Sequence, residues 1–144
     1  PIGDVLKSRC PFLSLMAISV VGGMLAGAGD SVAVEAGDPA RGRALFVSKG
    51  CVACHAINEI GGTSGPPLDF EFVPGEVDPL DFVARMWRSA EAMISMQQSL
   101  FGAQLDFTGQ ELADIIAFAH DPREQRKFSE ADIPLALRRL IFEQ

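Results

Sequence analysis

Histidine and cysteine are scarce in this 144-residue chain, which carries two of the first and three of the second. A structural zinc site takes four ligands. Beyond Cys51, Cys54 and His55 the chain offers only Cys10 and His120, so a Cys/His zinc site is short of ligands. Strand signals are lacking too. No run of β-branched residues precedes Cys51, which removes the βαβ context of a thioredoxin-like Cys-x-x-Cys. Positive charge is in deficit: 12 Lys and Arg stand against 19 Asp and Glu, a net charge of −7. That excludes a nucleic-acid surface and favours encounter with basic partners. No internal repeat appears, and no catalytic nucleophile, general base or substrate pocket can be picked out, so an enzyme is not expected.

What the chain does have is Cys51-Val52-Ala53-Cys54-His55. Cys-x-x-Cys-His is the attachment sequence of a c-type haem. On a short helical segment residues three apart share a face, so Cys51 and Cys54 both reach the vinyl edge of one porphyrin and form thioethers. His55, next in sequence, is carried to the ring centre, where an imidazole nitrogen binds iron. A redox dithiol and a zinc site are the rival readings, and the spacing suits neither as well. The cofactor expected is one haem c, with its iron, held covalently.

Pro11 to Ala28 holds no charged side chain, and Lys7 and Arg9 stand just before it. Basic flank, apolar run and the small residues Ala26-Gly27-Ala28 read as a secretory signal over residues 1–28. Small residues place the cut after Ala28 or Ala36, with Ala33 a third option. The rival is a retained membrane anchor. Residues 11–28 sit at the lower limit for a span, and Gly22, Gly23 and Gly27 dilute their hydrophobicity, so a cleaved signal is preferred. Either way the domain is exported to the periplasm, where bacteria attach c-type haem. Cys10 follows Arg9 and precedes the apolar run, so it reads as a spare leader thiol rather than a lipid anchor. With Asp4, Lys7 and Arg9 set aside, 10 basic and 18 acidic side chains leave −8.

A linker over 29–36 leads to a domain over 37–121 and a tail over 122–144. Asp38-Pro39 reads as N-cap and first helical residue, opening a helix to about Lys49 that Gly50 ends. Asn58 to Asp81 is rich in Gly and Pro and reads as irregular loop, long enough to need something other than secondary structure to pack on. Pro79 to about Leu100 predicts one helix with Leu80, Val83, Trp87 and Ala90 along a stripe. After a turn over Gly102–Phe107, Thr108-Gly109-Gln110-Glu111 is a capping box for a helix Gly109–His120, with Leu112, Ile115, Ile116 and Ala119 spaced for burial. Asp121-Pro122 reads as its stop, and a short helix Pro134–Phe142 offers Leu137, Leu140 and Ile141 for docking. No strand is convincing. The fold class is all-α.

Over roughly Gly37 to His120 the chain resembles a class I cytochrome c. That family crosses its first and last helices, a Gly and an aromatic on one meeting an aromatic on the other. Gly42 and Phe46 match the first helix, and Ile115 and Phe118 match the last. Gly65-Pro66-Pro67-Leu68 matches the family's Gly-Pro-x-Leu. The resemblance implies that the Pro66 carbonyl accepts a hydrogen bond from Nδ1–H of His55, which fixes the ring tautomer and raises ligand basicity; a plain Pro-rich turn is the bland alternative.

The resemblance also implies a Met sulfur as second axial ligand, which raises the reduction potential. Met16 and Met24 fall in the leader, leaving Met86, Met93 and Met96. Met93 follows Trp87 by six residues, as in relatives with Trp-x-His-Ala-Pro-x-Met, although Ser89 and Glu91 replace that His and Pro. Met93 is the first choice, Met96 the alternative and Met86 the third. His120, in a last helical turn, reads as a dipole-favoured imidazole rather than a ligand. Trp87 is a candidate donor to a haem propionate, with an ordinary core role as its rival. Asp69, Glu71, Glu76, Asp78 and Asp81 form a candidate docking patch or a solvated loop. The function expected is single-electron transfer between redox protein partners. The alternatives are a haem subunit of a larger membrane oxidoreductase, tethered by residues 11–28, and a ligand-binding haem protein with an open sixth position.

Overall fold

The computed structural model describes residues 35–72 and 78–142. The leader over 1–28, with Cys10, Met16 and Met24, most of the linker and Glu76 lie outside the described residues. Among those described, no helix is long and apolar enough to cross a membrane.

Helix α1 spans Pro39–Ser48 and α4 spans Gly109–Ala119. Both starts follow from local chemistry. The Asp38 carboxylate accepts from the N–H groups of Ala40 and Arg41, and Thr108 and Glu111 cap each other's backbone reciprocally. The two helices pack on each other more extensively than any other pair. Gly42 permits that approach, because a Cβ there would sit inside the Asp114 carbonyl. Phe46 then meets Phe118 with ring centroids 5.8 Å apart, and both rings are fully buried. Arg41 adds an electrostatic clasp: its Nε donates to Asp114 at 2.9 Å, and the Asp38 N–H donates to the same carboxylate at 2.8 Å.

The all-α reading needs one small amendment. β1 (Ala56–Ile57) and β2 (Ile60–Gly61) form a minimal antiparallel pair, closed by Asn58 and Glu59, both with positive φ, as a two-residue loop of type I′ requires. Neither strand exceeds two residues, too short to leave an alternating pattern in the sequence.

The single helix expected over Pro79–Leu100 is two. α2 covers Pro79–Arg88 and α3 covers Ala90–Phe101, with Ser89 between them at φ −104° and ψ 8°. The Ser89 N–H closes α2 on Met86, while its carbonyl already accepts from Met93. Along the expected stripe Leu80 is 76% and Trp87 80% exposed, so Trp87 is no core tryptophan.

Asp121-Pro122 stops α4 and at once caps α5 (Pro122–Gln125), through bonds from the N–H groups of Arg123 and Glu124. Beyond α5 the chain re-enters the core: Phe128 stacks edge-on against Phe46 at 5.6 Å, and Ile133 is fully buried. α6 (Leu135–Phe142) packs on the Cys51–Ala53 turn, with Leu137 and Ile141 against the core cluster.

Candidate functional site

The chain leaves α1 through Gly50, with φ +78°, and enters a 3₁₀ turn at Cys51–Ala53. The N–H groups of Cys54 and His55 both donate to the Cys51 carbonyl, at 3.1 and 2.9 Å. Residues three apart eclipse in this tight turn, so the two cysteines stand side by side. Both thiols are free and face one cavity. Burial pushes the Cys51 thiol up to about 11 and raises Cys54 too. A redox dithiol needs a lowered pKa. These thiols keep their protons at neutral pH, which counts against the thioredoxin-like reading.

His55 borders the same cavity. Its Nδ1 lies 2.7 Å from the Pro66 carbonyl oxygen. An amide carbonyl only accepts, so Nδ1 is the donor, and in a neutral imidazole that leaves the lone pair on Nε2. Gly65 makes room for this arrangement, since a Cβ there would run into the imidazole. The loop is held in turn by backbone bonds from Gly62 to Val52, Gly65 to Cys54 and Leu68 to Ala56, at 2.8, 2.7 and 2.9 Å.

The cavity measures about 840 Å³ and its walls are mainly apolar, within the roughly 300–1,000 Å³ typical of clefts and cavities that hold small molecules and cofactors. Met86, Met93 and Met96 all line it, with Trp87 at its exposed edge. The break at Ser89 has a use here, because α2 and α3 both turn side chains toward one space. Sequence reasoning passed over Phe82, Phe101, Leu105 and Phe107, which also border it. A signal existed for Phe101: Met93, Gln97 and Phe101 recur at four-residue steps on α3.

His120 stands apart from the cavity walls. It is buried at the C-terminal cap of α4, its Nδ1 2.7 Å from the Ile116 carbonyl and its ring edge-on to Phe82. The acidic run is partly structural. Asp69 accepts from the Asn58 N–H, and Asp78 caps α2 through the Leu80 N–H.

A family model described as Cytochrome c matches residues 39–120, from the first residue of α1 to His120. The chain belongs to the cytochrome c family. It is similar to a cytochrome c of Theileria annulata, 30% identical over 102 residues that cover 60% of this chain and 88% of that protein. No solved structure matches the chain. Membership implies electron transfer by a haem protein with covalently bound haem c. The residues of this cytochrome c family member fit such a group. Two protonated thiols, an imidazole with its outer nitrogen already bonded and a set of thioethers all border a cavity with apolar walls.

Proposed function

We propose that this cytochrome c family member is an exported one-electron carrier whose haem c is held by thioethers from Cys51 and Cys54, with His55 and Met93 as axial iron ligands. The observation that carries the reading is the His55–Pro66 contact of 2.7 Å beside the two cysteines. That bond holds a proton on Nδ1, orients the ring and raises the basicity of Nε2 toward a metal. Haem c, when bound, supplies the one-electron ferric–ferrous couple, at a potential raised by thioether ligation.

The chain's own part is to exclude water and hold ligands still. Phe82, Phe101, Leu105 and Ile115 give the site a low-dielectric lining. Met93 and Met96 sit three apart on α3, and both border the cavity, with Met93 favoured by its spacing from Trp87. Trp87, exposed at the cavity's edge, would donate its indole N–H to a haem propionate. Partners are redox proteins, and the acidic balance of −7 favours basic docking surfaces on them. Export follows from the apolar segment 11–28, and the location proposed is the periplasm.

The weak near-infrared sulfur-to-iron band of the oxidised protein tests the ligation. Met93→Ala should abolish the band and lower the midpoint potential, while Met96→Ala leaves both in place. The reverse pattern transfers the role to Met96, and rapid carbon monoxide binding by the reduced wild type would overturn a closed site.

A further inference from the structure

Gln125 lies beyond the residues matched by the family model, in the tail, yet it is 3% exposed and, among the described residues of that tail, its side chain makes the most hydrogen bonds. Its Oε1 accepts from the Phe70 N–H at 2.9 Å, and its Nε2 donates to the Leu68 carbonyl at 3.0 Å. The same nitrogen reaches the carbonyls of Phe118 and Ala119 at 3.2 and 3.1 Å, at the end of α4. Its backbone carbonyl accepts from Asn58 Nδ2 at 2.7 Å, in the hairpin turn. One residue thus ties the hairpin, the loop and the end of α4 together.

The loop has reason to need that tie. Pro66 and Pro67 have no N–H to donate, so the Pro66 carbonyl is located only by its flanks. Gly65 is pinned on one side through its N–H to Cys54, and Leu68 on the other through its N–H to Ala56. The Leu68 carbonyl and the Phe70 N–H close the second flank, and both go to Gln125. The geometry points to Gln125 as a positioning residue for His55: through the Leu68–Phe70 flank, it holds the Pro66 carbonyl in register with the imidazole Nδ1–H. The tail of this chain therefore tunes the ligand histidine without touching it. The inference rests on the proposed role of His55 as iron ligand.

Gln125→Met keeps length and removes every side-chain hydrogen bond. Gln125→Glu keeps the acceptor for Phe70 but, when ionised, donates to nothing. In the haem-loaded protein, either variant should speed solvent exchange of the His55 Nδ1 proton, read by NMR, by about tenfold, the loss expected for one hydrogen bond. The midpoint potential should rise, because a less basic imidazole stabilises ferric iron less. Asp38→Ala is the control: it removes the α1 cap, lowers the melting temperature, and should leave both readouts unmoved. Unchanged exchange and potential in the Gln125 variants, or equal changes in Asp38→Ala, overturn the inference. Should neither variant fold, the wild type decides: the His55 Nδ1 proton and the Phe70 amide must exchange through one shared opening, and independent exchange overturns the coupling. Pigment that leaves the polypeptide in denaturant is a separate result, and it sinks the proposed ligation itself.

Discussion

The α1–α4–tail side of the molecule and the α2–α3 side are built on different terms. On the first, Phe46, Phe118, Phe128 and Ile133 bury one another almost completely, and Arg41 and Asp114 clasp the helix pair. On the second, neither α2 nor α3 has a single buried residue. Most of their apolar side chains, such as Phe82, Met86, Met93 and Phe101, instead line the cavity that Cys51, Cys54 and His55 border. The difference teaches a division of labour: one half is stabilised by protein packing against protein, and the other presents its apolar surface to the cavity proposed to hold the haem.

Removing the covalent attachment should break this comparison most visibly. In Cys51→Ser/Cys54→Ser the pigment should no longer migrate with the polypeptide on a denaturing gel. Hydrogen exchange should then show lost protection over 79–101 and retained protection in α1 and α4. Equal loss on both sides would show that packing alone does not support the α1–α4 half. Phe46→Ala probes the other side, where a fully buried ring touches two more; it should cost about 3–5 kcal/mol in denaturant unfolding.

Smaller is the effect of acid. The Arg41 guanidinium beside Asp114 holds its carboxyl down at about 2, against an ordinary 3.8, helped by the Asp38 N–H and Gln110. Because the folded value is depressed, the stabilisation is fully present above the ordinary value and disappears as pH falls from about 3.8 through about 2. It amounts to on the order of 1–2 kcal/mol once solvent screening of half-exposed Arg41 is allowed for. Asp114→Asn should flatten that limb of the stability curve, and an unaltered pH dependence would remove the clasp from the account. Smallest is Leu80→Ala. With the side chain 76% exposed, unfolding stability should stay within about 0.5 kcal/mol of wild type.

Much of the first region was legible because its signals are local. Asp38-Pro39 and Thr108–Glu111 cap helices through bonds spanning two or three residues, so the residues that form them are adjacent in the chain. The position of His55 beside the cysteines was equally plain, since Cys51 opens one 3₁₀ turn, Cys54 caps it and His55 follows directly. The break at Ser89 was not, because no Gly or Pro marks it and two segments turn there toward a common cavity. Trp87 read as part of a helical stripe, yet nothing in its own neighbourhood says that the stripe meets a cavity edge rather than another helix. Gln125 left no trace either. Its partners Leu68 and Phe70 lie 57 and 55 residues away, and a glutamine in a polar tail segment looks like surface.

The amino-acid sequence by itself determined the helical class, the helix starts and the thiol–thiol–imidazole cluster, because each depends on groups within a few residues of one another. Tertiary structure alone decided which side chains pack on protein, which face the cavity, and that the tail enters the core to hold the loop behind His55. Those outcomes depend on burial and on hydrogen bonds between distant segments, which exist only once the chain has closed on itself.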